Sequence, residues 1–334
     1  MITRDNLVKD QLDLFWWFVC ERQRIWSRRV RLRQSPPWTE DPVLQRERFT
    51  NVYRELDPGT QYAIKQVLER DEARDDRIFN VMIYRLIGRS ATHAELGFQR
   101  RETFDPVHIR DVLSAIRQRG QTPFTAAYMV SAYTSMGTRD KIENVTRLFT
   151  ALNDEFDRLM AVIDAAQSSQ HVHSALASAY GFGRFLAFQV LVDLLYPLNI
   201  KNGHPLLPFS HDDWAIAGPG AQRGISLLAG NRRNKDQLAI MRWLRENQRS
   251  EFKRLDLAFP YLRDRSGGEF ELSLANIQNC LCEFHKYVKI RDGTGRGRRR
   301  FDDTCAYNTD VSLRQGRLAD RLPLSTPILQ VIRD

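Results

Sequence analysis

Two glycines and two adjacent carboxylates are the residues of this chain whose spacing points most directly to chemistry. Gly181-Phe182-Gly183 stands between two predicted helices, and the second of them begins at Arg184 and ends before Pro197. Glycine lets the backbone approach a phosphate closely, and the N-terminus of the following helix points its free N–H groups in that direction. Asp212 and Asp213 follow, just before an apolar stretch, and a carboxylate there could accept a proton.

The Gly-apolar-Gly turn between two short helices is typical of a helix-hairpin-helix. In helix-hairpin-helix DNA glycosylases a catalytic Asp follows the hairpin in the same order, although the spacing from this hairpin to Asp213 is longer than usual. Phe185 stands where lyase-type glycosylases place a lysine, so we do not expect Schiff-base chemistry. The alternative is a plain helical turn with two solvent-exposed carboxylates, because the pattern is short. The hairpin residues that we predict to contact DNA are Gly181, Phe182, Gly183, Arg184 and Gln189.

The charge of the chain favours a polyanionic partner. Lys and Arg total 50 against 41 Asp and Glu, which gives a net charge of +9 and an isoelectric point near 9.6. Six arginines lie from Arg22 to Arg33, and a second basic run, interrupted by glycines, extends from Lys286 to Arg300. Arginine forms paired hydrogen bonds with phosphate, so both clusters are candidate phosphate contacts, although a solvated helix end and a disordered loop are the alternatives. The predicted DNA contacts in these clusters are Arg28, Arg29, Arg298 and Arg299.

The sequence shows no sign of secretion, of a membrane span or of a metal centre. The four cysteines are few and poorly spaced for metal ligation, and we interpret them as reduced thiols of a cytoplasmic protein. The first residues are charged and polar, which argues against a secretory signal. No apolar run approaches the roughly 20 residues that span a bilayer. We predict neither a metal nor a cofactor.

The apolar spacing predicts an all-α protein with no strand of useful length. Asp-Pro pairs at 41–42, 57–58 and 105–106 each predict a helix N-terminus, with Asp as the cap and Pro at the first helical position. The helix that begins at Asp41 is predicted to carry an apolar face through Leu56. Further helices are predicted over residues 5–33, 74–87, 106–119, 141–167 and 235–254, and one is capped by Ser273.

We expect these helices to form two lobes around a basic cleft, in an arrangement like that of the helix-hairpin-helix DNA glycosylases. The predicted N-terminal lobe covers about residues 1–137 and the predicted hairpin lobe about residues 138–300, followed by a C-terminal extension. The cleft is expected between the region of Asn51 and the region of the hairpin and Asp213. A chain of 334 residues with 42% hydrophobic residues is long enough for one large domain or two intimate ones.

Two consecutive runs resemble one particular family. They are Pro37 to Gln45 (PWTEDPVLQ) and Arg48 to Asp57 (RFTNVYRELD). Both closely resemble the helical domain of the phage 5-hydroxymethyluracil DNA kinases. That domain also occurs alone in the related alpha-glutamyl/putrescinyl-thymine pyrophosphorylases, which are viewed as amino acid:DNA transferases. Weaker similarities extend from about residue 15 to about residue 290, among them Phe15 to Arg22, Gly181 to Gly183 and Leu281 to Phe284.

The resemblance implies a DNA-modification reaction. In that reaction, phosphorylated or pyrophosphorylated 5-hydroxymethyluracil in DNA loses its phosphate, and an amine of an amino acid or polyamine takes its place on the 5-methylene carbon. The sequence contains no G-x-x-x-x-G-K-[S/T] loop to hold the phosphates of a nucleotide. We therefore expect the stand-alone transferase and not the kinase.

The demands of that reaction select candidate residues. The leaving phosphate needs cations, for which Arg48, Arg54 and Arg85 are candidates. The amine must arrive uncharged, so a carboxylate base is useful, with Asp213 as first choice. Asp212 and Glu283 are the other predicted catalytic acids. Further substrate contacts are predicted for Trp38, Asn51, Tyr53 and Lys286.

The implied partners are double-stranded DNA that carries phosphorylated 5-hydroxymethyluracil and a free amino acid or polyamine. A separately encoded hydroxymethyluracil DNA kinase is a further expected partner. Two other functions stay open. One is a DNA glycosylase that acts on a modified thymine, which the hairpin favours. The other is a non-catalytic DNA-binding module that serves such a kinase. An amino acid and a polyamine both stay open as the amine, and phosphate and pyrophosphate both stay open as the leaving group.

Overall fold

The all-α prediction is confirmed. The computed structural model describes residues 2–125, 138–196, 198, 206–230, 236–263, 268–297 and 300–301. In these ranges it contains thirteen α-helices and one antiparallel pair of two-residue strands. None of the helices in the described ranges has the length and apolar character to cross a membrane.

The helices are numbered in chain order. They are α1 (Lys9–Trp26), α2 (Pro42–Arg46), α3 (Pro58–Ala63), α4 (Arg74–Ile87), α5 (Ser90–Leu96), α6 (Pro106–Gln118), α7 (Lys141–Asp154), α8 (Phe156–Asp164), α9 (Ser169–Ser178), α10 (Arg184–Leu194), α11 (Pro219–Ala229), α12 (Gln237–Arg254) and α13 (Leu274–Arg291). Short 3-10 helices occupy Arg4–Asn6 and Arg54–Leu56, and π-helical turns follow α1 and α3 at Ser27–Arg31 and Ile64–Leu68. Strands β1 (Leu262–Arg263) and β2 (Glu269–Phe270) pair antiparallel.

The chain divides into two compact units. The terminal unit combines Met1–Pro58 with His211–Asp334, and the central unit is Gly59–Ser210. The lobe boundary that we predict near residue 137 lies outside the described residues, and the two lobes with their basic cleft stay a prediction. The terminal unit joins two segments that are distant in sequence, so its core depends on long-range contacts.

Aromatic side chains of α1 and α13 form the core of the terminal unit. Phe15 packs edge-on against Phe284, with ring centroids 5.4 Å apart, and Phe18 lies 5.1 Å from Tyr287. All four side chains are buried. Aromatic pairs in such geometries add to the stabilisation that burial alone provides. The helical spacing of the apolar residues, which predicts α1 from the sequence, is therefore the spacing that builds this core.

The packing of α11 against α13 depends on a glycine. A Cβ atom on Gly224 would overlap the carbonyl oxygen of Leu281 on α13. A Cβ atom on Gly220 would likewise overlap the side chain of Cys282. At Gly224 the two helices consequently approach with backbone against backbone, which only glycine permits at this position.

The central unit is built around α4, of which every residue from Arg77 to Ile87 is buried. Helix α4 ends at Gly88, whose φ of +66° is the left-handed conformation that glycine favours. The helix predicted over 141–167 is two helices, because Glu155 has ψ near 1° in place of the helical value near −42°. The apolar side chains of Leu152 and Phe156 are buried on both sides of this break.

The predicted helix from Asp41 to Leu56 is correct only for its first turn. The carboxylate of Asp41 accepts a hydrogen bond from the Leu44 amide, 2.8 Å away, and Pro42 occupies the first helical turn, as predicted. Helix α2 then ends at Arg46, and Glu47 is extended. The chain stays irregular until the 3-10 turn at Arg54–Leu56. The reason is that side chains from elsewhere in the terminal unit bind the backbone of this segment.

Candidate active site

The irregular segment from Arg48 to Asp57 is held by side chains that bind its backbone amides. The amide of Thr50 donates to the carboxylate of Glu283 at 3.0 Å, and the amide of Asn51 donates to Asp57 at 2.9 Å. The amide of Arg54 donates to the side-chain oxygen of Asn276 at 3.0 Å. These three amides are therefore satisfied without helical hydrogen bonds, which explains why the helix stops at Arg46.

Helix α13 supplies most of these partners from one face. Asn276, Asn279, Glu283 and Lys286 are spaced by three, four and three residues, which places them along one side of the helix. The amide nitrogen of Asn279 donates to the carbonyl oxygen of Asn51 at 3.0 Å. Lys286 donates to the carbonyl oxygen of Arg48 and lies 3.4 Å from Glu283.

Helix α1 contributes the buried arginine of the site. Arg22 donates to the side-chain oxygen of Asn51 at 2.8 Å and to the carbonyl oxygen of Phe49 at 3.2 Å. Asn51 in turn donates through its side-chain nitrogen to Asp57 at 3.1 Å. We call this set the carboxylate cluster; its members are Arg22, Asn51, Arg54, Glu55, Asp57, Asn276, Asn279 and Glu283.

Two acids of the carboxylate cluster have raised pKa values. Burial raises the pKa of Glu55 to about 7, and the neighbouring carboxylate of Asp57 acts in the same direction. Burial likewise raises the pKa of Asp57 to about 6, while the Asn51 amide and the guanidinium groups of Arg54 and Arg22 oppose the increase. Both carboxyl groups therefore exchange protons close to neutral pH, which is the property of a general base or acid.

The carboxylate cluster collects several residues predicted from the sequence. Asn51, Arg54 and Glu283 belong to it, and Arg48 and Lys286 adjoin it through their hydrogen bond. Arg54 is buried beside the two acids, whereas Arg48 is exposed. Tyr53 is buried on the same segment and donates to the carbonyl oxygen of Phe270 at 2.6 Å.

The sequence does not single out Asn276 and Asn279 as site residues, and it predicts Asp57 only as a helix cap. The sequence predicts Asp57 as the cap of α3, which begins at Pro58, and the structure adds that the carboxylate of Asp57 accepts from the backbone and side-chain nitrogens of Asn51. The polar spacing of 276, 279, 283 and 286 on α13 is the signal that could have identified the asparagines. It is weak, because polar residues at helical spacing usually mark a solvated face.

The two predicted aspartates differ in their surroundings. Asp212 accepts from the amide of Leu274 at 2.8 Å, at the start of α13, and forms an ion pair with Arg245 at 3.1 Å. Asp213 is exposed, and its carbonyl oxygen accepts from Arg242 at 3.1 Å. Asp212 thus anchors the N-terminus of α13, and Asp213 lies on the surface of the terminal unit.

The Gly-Phe-Gly turn connects α9 and α10, in the helix–turn–helix order expected. Gly181 has a φ of +84°, and a Cβ atom there would overlap the side chain of Leu148. Gly183 caps α10, and a Cβ atom there would meet nothing within 4 Å. Phe182 is buried. The open side of the turn is therefore at Gly183, beside the N-terminus of α10; the identity of the motif as a helix-hairpin-helix stays a prediction.

The other predicted contacts of the central unit are partly buried in it. Arg184 is exposed at the first turn of α10, whereas Gln189 is 3% exposed. Arg85 is buried and forms two hydrogen bonds of 2.5 Å with Asp193, which is 0% exposed. This pair links α4 to α10, so the charge of Arg85 is matched inside the central unit.

The arginines after α1 make contacts around Trp38. Arg28 donates to the carbonyl oxygen of Trp38 at 2.6 Å and pairs with Glu21 at 3.1 Å. Arg29 lies 4.8 Å from the ring centroid of Trp38. Arg298 and Arg299 lie outside the described residues. The predicted DNA contacts at Arg28 and Arg29 are thus side chains that already hold Trp38 in place.

Comparison with known proteins gives the family of the chain. The family model described as the 5-hmdU DNA kinase, helical domain, matches residues 9–297. The 5-hmdU DNA kinase of Bacillus phage SP10 is 31% identical over 287 residues, which cover 82% of this chain and 44% of that protein. The chain thus matches less than half the length of this relative. No solved structure matches. The chain belongs to the family of 5-hmdU DNA kinase helical domains, as the resemblance of its sequence implies.

Proposed function

We propose that this protein is a DNA-modifying transferase. It replaces the phosphate or pyrophosphate on phosphorylated 5-hydroxymethyluracil in DNA with an amine of an amino acid or polyamine. The observation that carries the proposal is the carboxylate cluster, in which Glu55 has a pKa of about 7 beside the guanidinium of Arg54. The segment that builds the cluster, Arg48 to Asp57, is also one of the two runs that most resemble the family.

The reaction that we propose needs an anion site and a base. The amine nitrogen bonds to the 5-methylene carbon of the uracil, and the bond from that carbon to the phosphate oxygen breaks. The phosphate leaves with the electron pair, and the proton of the amine passes to a carboxylate. Arg54 and Arg48 are the cations that we assign to the phosphate. An amine is a nucleophile only when uncharged, so a base with a pKa near 7 suits the last step.

Two positions compete for the role of base. Asp213 is the candidate that its position after the hairpin suggests. Glu55 is the candidate that its environment suggests, because its pKa of about 7 keeps it partly deprotonated at neutral pH and able to hold the proton that it receives. We propose Glu55 as the base. Asp213 is the competing candidate, and the two are separated by conservative amide variants.

The proposal includes binding to double-stranded DNA. The net charge of +9 favours a polyanion, and the target carbon is accessible only when its base leaves the stack. We assign phosphate contacts to the open side of the turn at Gly183 and to Arg184, where the N-terminus of α10 adds its free N–H groups.

A non-catalytic role is the second candidate. The relative in Bacillus phage SP10 is named a kinase, and the matched segment is 44% of it. In this alternative, the chain binds DNA for a kinase and performs no chemistry of its own.

One incubation separates the candidates. Duplex DNA that carries phosphorylated 5-hydroxymethyluracil is incubated with the protein and a pool of amino acids and polyamines, then digested to nucleosides for mass spectrometry. The transferase yields a new amino-linked nucleoside, and its mass identifies the amine. A DNA glycosylase yields abasic sites, and a non-catalytic module leaves the nucleosides unchanged; either result would refute the proposed transfer.

A further inference from the structure

A cavity of about 310 Å³ lies in the terminal unit, at the other run that resembles the family. Its volume is at the lower end of the roughly 300–1,000 Å³ that is typical of small-molecule sites. The lining combines aromatic, aliphatic and amide groups. Six of the lining residues are Ile25, Trp38, Thr39, Leu44, Gln45 and Phe301. We call this cavity the aromatic pocket.

The aromatic walls of the pocket are fixed in position. The indole N–H of Trp38 donates to the carbonyl oxygen of Gln34 at 2.7 Å, and the carbonyl oxygen of Trp38 accepts from Arg28 at 2.6 Å. The Phe301 ring lies 5.9 Å from Trp38 at an angle of 64°, and the Phe301 amide donates to the carbonyl oxygen of Arg46 at 2.7 Å. Both rings are therefore oriented before any ligand arrives, which lowers the entropy that binding costs.

One cation lies against the aromatic walls of the pocket, although it does not line the cavity itself. The guanidinium of Arg29 lies 4.8 Å from the ring centroid of Trp38 and 5.1 Å from that of Phe301. A cation at this place favours carbonyl oxygens and anions and disfavours a polyamine. The side-chain nitrogen of Gln45 donates to the carbonyl oxygen of Thr39 at 2.6 Å, which brings a polar amide to the rim. These groups suit a flat, neutral or anionic heterocycle.

The pocket adjoins the carboxylate cluster along α1. Ile25 lines the pocket, and Arg22 belongs to the cluster. The two residues are three positions apart on the same helix, so they lie one turn apart on the same face, about 4.5 Å along the axis. The pocket and the carboxylate cluster consequently both include residues from the same turn of α1.

We propose that the aromatic pocket receives the everted pyrimidine base of the DNA substrate. The proposal rests on the proposed function, because it specifies how the modified uracil is held while its 5-substituent reacts. Trp38 and Phe301 provide rings on which a base can stack, and stacking does not depend on the identity of the base. The amide of Gln45, which lines the pocket, offers hydrogen bonds to the carbonyl and N–H groups of uracil.

Photocrosslinking tests the pocket without requiring catalysis. A DNA duplex with 5-iodouracil at the target position is irradiated in complex with the full chain, and the crosslinked peptide is mapped by mass spectrometry. We expect the crosslink at Trp38 or Phe301. A crosslink confined to another peptide, such as the turn at Gly183, or no crosslink to a bound duplex, would overturn the proposal.

Variants measure the contribution of stacking. Trp38→Ala is expected to reduce crosslinking and the affinity for the modified duplex about tenfold, within the range measured for base stacking on aromatic side chains. Trp243→Ala, which removes another half-buried tryptophan of the terminal unit, is the matched control and should keep both. Thermal melting verifies that the variants fold. The crosslink mapped on the wild-type chain tests the pocket even if a variant does not fold.

The pocket and the proposed function fail in different experiments. A crosslink at Trp38 without an amino-linked nucleoside would support the pocket and refute transfer. Amine transfer by the wild-type chain with the crosslink elsewhere would support transfer and refute the pocket.

Discussion

At the scale of single residues, Glu55 has the pKa that a base for an amine needs near neutral pH. We expect Glu55→Gln to slow amine transfer about 10²–10⁴-fold, the usual contribution of general base catalysis. The amide keeps the shape of the side chain but cannot accept the proton. Because the base must be deprotonated and burial raises its pKa to about 7, the wild-type rate should rise as the pH increases through 7. Single-turnover transfer assays across pH measure both effects.

Two amide variants serve as comparisons in the same assay. Glu40→Gln alters an exposed glutamate of the terminal unit and should leave the rate unchanged. Asp213→Asn should transfer at a rate close to wild type if Glu55 is the base. A large loss in Asp213→Asn with little loss in Glu55→Gln would instead assign the base to Asp213.

Glu55 also connects stability to pH. Its pKa is about 7 in the folded protein against 4.5 in an unfolded chain, so the folded state holds a proton that the unfolded state releases between these values. The free energy of unfolding should therefore fall as the pH rises from about 4.5 to 7, and Asp57 acts in the same direction between 3.8 and about 6. Glu55→Gln should reduce this fall, which urea unfolding across pH measures. An identical pH dependence in the variant and the wild type would show that Glu55 has an ordinary pKa.

The sequence identified part of the candidate site at this scale. Asn51, Arg54 and Glu283 are close in the structure because their contacts all involve the irregular segment. The raised pKa values of Glu55 and Asp57 have no sequence signal, since they arise from burial by residues far along the chain. The ion pair between Arg85 and Asp193 has no sequence signal either, because only the fold brings the two residues together.

At the scale of helices, the close contact between α11 and α13 leads to a prediction about stability. Gly224→Ala would place a Cβ atom against the carbonyl oxygen of Leu281, so the helices must separate. We expect the free energy of unfolding to fall by about 1–3 kcal/mol, the usual cost of overpacking. Ser226→Ala on the exposed side of α11 is the control and should change stability little. Chemical denaturation measures both, and equal stability of the two variants would mean that α11 and α13 do not pack this closely.

Helix ends were predictable where their cause is local. Asp41, Asp105 and Ser273 each cap a helix through their own side chains, as the sequence indicates. The stop after Arg46 was not predictable, because side chains of Glu283 and Asn276 bind the backbone from more than 200 residues away. Tertiary hydrogen bonds override the helical pattern there.

At the scale of the whole molecule, the net charge of +9 leads to a prediction about DNA. Affinity for duplex DNA should fall as salt increases, with a slope of about −0.9 in log–log units for each phosphate neutralised. Arg184→Gln should reduce the slope by about one such contact, and Gly183→Asp should weaken binding by adding negative charge at the open turn. Arg158→Gln, an exposed arginine of the same unit, is the control. Anisotropy titrations at several salt concentrations measure the slopes; equal slopes for Arg184→Gln and Arg158→Gln would exclude Arg184 from the interface.

The fold class of the described residues and the family that matches residues 9–297 were predictable, since helical spacing and the two family-like runs are properties of the sequence. The pairing of segments that forms the terminal unit was not predictable from the sequence. It joins Met1–Pro58 to the residues from His211 onward, and no local pattern indicates that two such distant segments share a core.

The coupling between phosphate release and amine incorporation tests the proposed transfer most directly. Duplex DNA with radiolabelled phosphate on its 5-hydroxymethyluracil is mixed with excess protein and an isotope-labelled amine pool, and both products are followed in a single turnover. We predict one phosphate, or one pyrophosphate, released for each amino-linked nucleoside formed, at the same rate. Phosphate release without incorporation of an amine, or retention of the labelled phosphate on the DNA, would contradict the proposed transfer.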